Sequence, residues 1–236
     1  DVGVQDLPVT LAIDRGGIVG DDGQTHQGFF DIAYLRIVPN FVLMAPADEN
    51  ELRHMLCTAV EIGHPVALRY PRGEGTGISL IEDLRQLPVG RAQVLRAPKN
   101  ADVLLVAYGN RVYPSLQAAQ LLLQQGIEAM VVNARFAKPL DSELLLDWAA
   151  TVGRLITVED GMRAGGFGSA VLELLCQHRL NVATSVLGVP DVFLPHGKPS
   201  QQYAELGLDD AGIAEAAVAL IQTAQARSKV TRLIRN

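Results

Sequence analysis

Short apolar runs alternate along this chain with longer segments in which apolar residues recur every three or four positions. Runs of the first kind are typical of buried strands, and segments of the second kind are typical of amphipathic helices. Regular alternation of the two predicts an α/β fold built on mostly parallel sheet. Two series of such elements can be separated.

The first series contains three predicted strands with one clear helix between the last two. The strands are expected at residues 8–14, 41–44 and 66–70. The helix is expected to begin at Asp48, because an aspartate followed three residues later by Glu51 is a capping-box pattern. Four apolar residues share one face of this helix, which we expect to pack on the core. They are Leu52, Leu56, Ala59 and Val60.

Residues 71–77 (PRGEGTG) interrupt this pattern, and residues 79–90 (SLIEDLRQLPVG) read as a linker. We therefore predict a domain boundary near residue 85, giving domains of residues 1–84 and 85–236. The second domain is expected to hold five strands and four helices, enough for a complete small α/β unit. The strands are predicted at 92–96, 103–108, 129–133, 155–159 and 184–187, and the helices at 113–125, 142–150, 167–178 and 211–226.

The first series has too few strands to cover both faces of a sheet, and the chain begins without a methionine. We expect it to be a piece of a longer polypeptide.

Composition narrows the possible partners. The chain has 48% hydrophobic residues and a formal charge of −6, from 20 Lys and Arg against 26 Asp and Glu. The charges are scattered, and the one basic cluster, residues 227–235, is expected to be a solvated helix end. Nucleic acid is therefore not expected as a partner, because no basic block could follow a phosphate backbone.

Two further patterns bear on the compartment. Cys57 and Cys176 lie far apart in predicted helices, which indicates neither a disulfide framework nor a zinc site. No apolar run reaches the roughly 18 to 20 residues that a membrane span needs, and the first residues do not resemble a signal peptide. The cysteine pattern fits a reducing compartment, and the protein is expected to be soluble and not to insert into a membrane.

The loop of residues 12–28 is the strongest candidate for a substrate site. It is rich in glycine and charge and follows a predicted strand, at the end where α/β sheets bind ligands. Arg15 in this loop and Arg72 after the third strand occupy matching positions. Their guanidinium groups could form a clamp for a phosphate or carboxylate, or each could pair with a nearby acid. Arg69, within the strand, is expected to be structural.

Two more side chains of this loop carry candidate chemistry. His26 lies among polar residues and could donate a proton or a hydrogen bond to a substrate oxygen, unless it is an ordinary surface residue. Asp22 could contact a substrate hydroxyl or orient His26, or simply stabilise a turn. Asp21 has the weaker claim.

Two other segments contain glycines and polar residues that could suggest a ligand site. The sequence 20–23 (GDDG) with Asn50 does not predict a magnesium–diphosphate site, because Asn50 falls inside a capped helix and no second ligand cluster exists. Residues 165–169 (GGFGS) open a helix and could bind an anion, although close packing or an interface contact is favoured. Glu159 and Asp160, just before them, could serve the same interface. No metal site is predicted in this chain.

Several motifs resemble those of a known family. DRGGIVGDDGQTHQG, FDIAYLRIVPNFVLMAPADENELR and ALRYPRG are similar to the pyrimidine-binding domain of the 1-deoxy-D-xylulose-5-phosphate synthases, thiamine-diphosphate enzymes of the transketolase superfamily. VNARFAKPLD, TVEDGMRAGGFGSAV, GVPDVFLPHG and AELGLDDAGI are similar to that family's C-terminal domain. The resemblance implies part of a pyrimidine-binding domain followed by a transketolase C-terminal-like α/β domain.

The resemblance also implies a reaction. Enzymes of this family condense pyruvate with D-glyceraldehyde 3-phosphate, with loss of CO2, to give 1-deoxy-D-xylulose 5-phosphate for isoprenoid, thiamine and pyridoxal synthesis. By this resemblance Arg15 and Arg72 bind the substrate phosphate, and Asp22 and His26 are catalytic. The alternatives are a transketolase, a 2-oxo-acid dehydrogenase β-subunit or a noncatalytic dimerisation fragment.

The cofactors implied are thiamine diphosphate and Mg2+, both bound mainly by sequence expected upstream of Asp1. The chain alone is therefore expected to be inactive, and its partners to be the missing N-terminal part and a second copy in a homodimer. A bacterial protein of this family would be cytoplasmic, and a plant one would lie in a plastid.

Overall fold

The computed structural model describes the backbone of residues 1–235 and the side chains of residues 1–226. The predicted α/β fold is confirmed, and every predicted strand and helix is present with somewhat different ends. The side chains of the basic cluster at 227–235 lie outside the described residues. Within residues 1–235 no helix is both long and apolar enough to cross a bilayer.

Nine strands are described in residues 1–235. They are β1 (Thr10–Ile13), β2 (Val42–Met44), β3 (Val66–Arg69), β4 (Gln93–Arg96), β5 (Val103–Ala107), β6 (Ala129–Asn133), β7 (Phe136–Lys138), β8 (Arg154–Met162) and β9 (Ala183–Val189).

Seven α-helices accompany these strands in the same residues. They are α1 (Asp31–Leu35), α2 (Glu49–Glu61), α3 (Val112–Gln124), α4 (Ser142–Val152), α5 (Phe167–Gln177), α6 (Pro199–Glu205) and α7 (Asp210–Arg235). Strand β7 and helices α1 and α6 are absent from the sequence prediction because they are too short to show a period.

Two sheets form the framework. The larger sheet has the order β4-β6-β5-β8-β9 and is parallel except for β4. Strands β5 and β6 are wholly buried, which explains why their sequences are continuously apolar. The smaller sheet has the order β1-β3-β2-β7, in which the first three strands are parallel and β7 runs antiparallel to β2.

Strand β7 links the two predicted domains. It belongs by sequence to the second domain, yet it completes the sheet of the first. The boundary near residue 85 stays a prediction, and the two parts are packed together rather than joined only by the linker.

Helix α2 begins as predicted but packs differently. The side chain of Asp48 accepts a hydrogen bond from the Glu51 backbone N–H at 2.8 Å, so the predicted cap is confirmed. The core-facing prediction is wrong for Leu56 and Val60, because Val60 is 69% exposed and Leu56 is 49% exposed. Polar residues take much of the buried face instead.

These buried polar residues have specific partners. Thr58 Oγ1 accepts a hydrogen bond from Leu87 N at 2.8 Å, which ties the helix to the linker. Glu51 accepts hydrogen bonds from Asn133 Nδ2 at 3.0 Å and from Arg135 Nε at 2.7 Å, both in the second domain. The face of α2 is therefore set by contacts with distant sequence, and apolar periodicity alone could not identify it.

Candidate active site

The loop that follows β1 is closed at its base by two glycines. Gly17 and Gly28 each donate a backbone hydrogen bond to the other's carbonyl oxygen at 2.9 Å. A Cβ at Gly28 would overlap the carbonyl oxygen of Arg15, and Gly17 has φ 91°, so both positions favour glycine. The closed base holds two of the predicted site residues, Asp22 and His26, on one loop segment.

The structure brings Arg15, Arg72 and Asp22 together. Strands β1 and β3 are parallel neighbours, so the residues after them emerge at the same edge of the sheet. Arg15 Nε donates to Asp22 Oδ2 at 3.3 Å, and Arg72 Nη1 donates to Asp22 Oδ1. Both arginine side chains are 47% exposed and thus open to a ligand. The two guanidinium groups share one anion, as a clamp would.

Asp22 is held as an anion in this arrangement. Loss of solvent around the carboxyl group raises the pKa of Asp22, but hydrogen bonds from Arg15 and Arg72 more than offset this, and the pKa lies below its ordinary value. Asp22 can therefore accept hydrogen bonds from a substrate hydroxyl, but it has no proton to donate at neutral pH.

His26 lies apart from this ion pair. It ends a single 3-10 turn, Gln24–His26, and its exposed ring contacts Thr25 Oγ1 through Nδ1 at 3.0 Å. Within the described residues it makes no hydrogen bond to Asp22, so Asp22 does not orient its ring here. The ring lines a cavity of about 320 Å3 together with Arg15 and Tyr34.

A buried ionic cluster lies directly beneath the clamp. Arg69, three residues before Arg72, is only 3% exposed in its side chain. Its Nε donates to Asp31 Oδ2 at 2.6 Å, and its Nη1 donates to Asp160 Oδ1 at 2.7 Å. Arg69 is structural, as predicted, and Asp160 contacts the first domain. Sequence reasoning missed Asp31, although an aspartate within an apolar helix start is a signal of a buried partner.

Charge balance in this cluster favours the ionised guanidinium. Burial alone lowers the pKa of Arg69, but Asp160 and Asp31 raise it well above the ordinary value. Burial also raises the pKa of Asp31, and Arg69 opposes only part of that rise.

The glycine-rich turn at 165–169 binds an internal anion. Glu159 Oε2 accepts a hydrogen bond from Phe167 N at 2.9 Å, and Glu159 Oε1 accepts one from Gly168 N at 2.7 Å. These are amides of the first turn of α5, the atoms that a phosphate would have used. The turn therefore has the packing role that the sequence favoured.

Glu159 makes the stability of the protein depend on pH. Burial raises the pKa of Glu159 to about 7 from an ordinary 4.5, with the two amides opposing the rise. Between these values the folded state binds the proton more tightly than the unfolded state, so this group loses stabilisation as pH rises. We expect its contribution to the free energy of unfolding to fall by about 2 kcal/mol between pH 5 and pH 7.

Urea unfolding of the wild type and Glu159→Gln across this pH range checks the expectation. The variant should lose that decline, whereas Glu143→Gln, at a side chain 76% exposed, should keep it. An unchanged decline in Glu159→Gln would refute the assignment.

The described residues do not fit a magnesium–diphosphate group. Among them, no set of three or more His, Cys, Asp or Glu side chains is placed to hold a metal ion. Asp22 is engaged by two arginines, and Asn50 binds the linker through Ser79 O at 2.9 Å and Ile81 N at 3.0 Å. Neither can belong to such a site in this arrangement.

Comparisons with known families agree with this architecture. The profile of the transketolase pyrimidine binding domain matches residues 1–76, and that of the transketolase C-terminal domain matches residues 90–213. These matches confirm the predicted fold class, a pyrimidine-binding part followed by a transketolase C-terminal-like domain.

Curated relatives are similar over most of the chain. A 1-deoxy-D-xylulose-5-phosphate synthase from Cyanothece sp. is 54% identical over 224 residues, which are 94% of this chain and 35% of the relative. Another from Desulforudis audaxviator is 56% identical over 209 residues, which are 88% of this chain and 33% of the relative. The chain thus spans about a third of the length of these relatives.

Solved structures show the same fold. A structure described as a split gene transketolase, inactive beta4 tetramer, is 33% identical with a TM-score of 0.82, and the match covers 93% of this chain and 69% of that one. A transketolase mutant from Pichia stipitis is 22% identical with a TM-score of 0.71, covering 95% of this chain and 32% of that one.

Proposed function

The chain belongs to the transketolase family, and on that premise we propose that it forms the C-terminal part of a 1-deoxy-D-xylulose-5-phosphate synthase. The enzyme would condense pyruvate with D-glyceraldehyde 3-phosphate, release CO2 and form 1-deoxy-D-xylulose 5-phosphate. The observation that carries the proposal is the pair of half-exposed guanidinium groups of Arg15 and Arg72, which share one anion at the edge of the sheet. The 54% identity to a synthase supports this choice of reaction.

In this proposal Arg15 and Arg72 bind the phosphate of the aldehyde substrate. Asp22 occupies the same donors now, so an incoming phosphate competes with it or shares the guanidinium groups with it. Released in part from the arginines, the Asp22 carboxylate would accept a hydrogen bond from the substrate hydroxyl. His26, on the same loop, would donate a proton to the aldehyde oxygen as the new bond forms.

Thiamine diphosphate with Mg2+ is the proposed cofactor, which would supply the nucleophile and the electron sink for pyruvate. Its binding residues are expected in sequence upstream of Asp1. We propose that the chain by itself is inactive and works with that sequence in a homodimer, in the bacterial cytoplasm or in a plastid. A 33% identical structure described as an inactive beta4 tetramer supports the proposed inactivity of the chain by itself.

The test is an assay of the chain alone and of the full-length protein with pyruvate and D-glyceraldehyde 3-phosphate. We expect CO2 release and 1-deoxy-D-xylulose 5-phosphate only from the full-length protein with its cofactors. Turnover by the chain alone would refute its inactivity. Transfer of a two-carbon unit between sugar phosphates, without use of pyruvate, would refute the synthase assignment and favour a transketolase.

A further inference from the structure

The buried cluster of Arg69, Asp31 and Asp160 contacts the base of the substrate loop as well as the core. A Cβ added to Gly17 would overlap Asp160 Oδ2, and one added to Gly16 would lie 3.1 Å from Arg69 Nε. The loop backbone therefore packs directly on two charged groups of the cluster. Both glycines lie within two residues of Arg15.

The same cluster also supports the segment that carries Arg72, the second arginine of the clamp. Arg69 is the last residue of β3, and its partner in the strand register is Ile13 at the end of β1. Gly16 N donates a hydrogen bond to Tyr70 O at 2.9 Å, so the two segments stay paired beyond the strands. Arg15 and Arg72 are thus carried by two short segments that leave the paired strand ends, at Ile13 and at Arg69.

Asp160 is the member of the cluster that comes from the second domain. It lies on β8, and its side chain is 1% exposed. Its Oδ1 binds Arg69, while Oδ2 has no hydrogen-bond partner among the described residues and lies against Gly17. The Asp160 carboxylate therefore contacts both Arg69, three residues before Arg72, and Gly17, two residues after Arg15.

We propose that Asp160 is a positioning residue for the phosphate clamp, acting through Arg69 and Gly17 to hold Arg15 and Arg72 at the separation that a phosphate needs. This inference rests on the proposed function. It assigns the C-terminal domain a part in acceptor binding, although none of the side chains described in that domain forms a hydrogen bond with Arg15 or Arg72.

Asp160→Asn is the informative change because it keeps the size of the side chain and removes its charge. Arg69 would then be balanced by Asp31 alone, and the contact between the carboxylate and the loop base would change. The clamp needs two aligned guanidinium groups, so a small displacement weakens phosphate binding while leaving pyruvate chemistry intact.

The experiment measures kinetics of the full-length enzyme with each substrate varied in turn. For Asp160→Asn we expect the KM for D-glyceraldehyde 3-phosphate to rise about tenfold and the KM for pyruvate to change less than twofold. With D-glyceraldehyde, which lacks the phosphate, the variant should match the wild type. A merely structural role would instead lower kcat for all substrates alike.

Asp141→Asn is the matched control. Asp141 is also a buried aspartate that pairs with an arginine, Arg91, but it caps α4 and does not contact the loop. Asp141→Asn should lower the free energy of unfolding, but it should not raise the KM for D-glyceraldehyde 3-phosphate relative to the KM for pyruvate. Equal effects on all substrates in Asp160→Asn, or no change in its acceptor KM, would overturn the proposal.

Gly17→Ala provides a second approach if Asp160→Asn does not fold. It perturbs the same contact from the loop side and should give the same acceptor-specific rise in KM, so normal acceptor kinetics would refute the inference. A wild type that does not condense the two substrates would refute the proposed function instead. Calorimetric titration of wild type, Asp160→Asn and Arg72→Ala with inorganic phosphate would then still decide the positioning role, since equal binding by wild type and Asp160→Asn would overturn it.

Discussion

Replacing Arg72 with alanine is expected to raise the KM for D-glyceraldehyde 3-phosphate about 100-fold in the full-length enzyme. The change removes one of the two guanidinium groups that meet at Asp22 and so removes charge-assisted hydrogen bonds to the phosphate. The KM for pyruvate should stay within twofold, because in the proposed function the clamp binds only the acceptor. Steady-state kinetics with each substrate varied separately measures both values.

Arg91→Ala is the control for loss of an arginine. Arg91 is 57% exposed and pairs with two carboxylates, Asp141 and Glu143, in the second domain. Its removal should leave both KM values unchanged. Activity of Arg72→Ala with unphosphorylated D-glyceraldehyde should equal that of the wild type, and an equal loss with both aldehydes would show that Arg72 does not recognise the phosphate.

Replacing Arg69 with methionine is expected to lower the free energy of unfolding by about 4 kcal/mol. The change leaves the carboxyl groups of Asp31 and Asp160 buried without their cation. Without Arg69, burial should raise the pKa of Asp31 further in the folded state, so the loss should be smaller at pH 5 than at pH 8. Urea unfolding at the two pH values tests the size and the direction of this effect.

Arg96→Met serves as the comparison. Arg96 is 21% exposed and pairs with Glu128, itself 38% exposed, so its loss should cost about 1 kcal/mol or less with little pH dependence. Asp31→Asn in the Arg69→Met background should recover part of the stability, because it removes one of the unpaired charges. A loss of only about 1 kcal/mol in Arg69→Met would contradict the view that the Arg69 guanidinium group compensates the buried charges of Asp31 and Asp160.

The clamp could be predicted because it depends on strand order alone. Short apolar runs located β1 and β3, and residues after the ends of parallel neighbours must emerge at one edge of the sheet. Arg15 and Arg72 therefore meet, as their matching positions indicated. The role of the clamp in binding a substrate phosphate stays a prediction, and so do the catalytic roles of Asp22 and His26.

Features that depend on a distant partner could not be predicted in the same way. The buried face of α2 contains Glu51 and Thr58 because the second domain and the linker supply their hydrogen bonds. Likewise, the glycines at 165–169 showed that amides would be available at a helix start, but not that Glu159 would take them. Apolar periodicity indicates which face of a helix or strand is buried. It does not indicate which distant polar group will form hydrogen bonds with that face.

Strand β7 has a consequence for recombination between relatives. A chimera that exchanges everything after residue 85 would also exchange the edge strand that pairs with Val42–Met44. The β7 strand of one relative would have to pair with the β2 strand of the other. Asp160 of one relative would likewise have to pack on Arg69 and Gly17 of the other. The sequence thus divides into two consecutive segments. A segment that can be exchanged without compensating substitutions, however, must include parts of both.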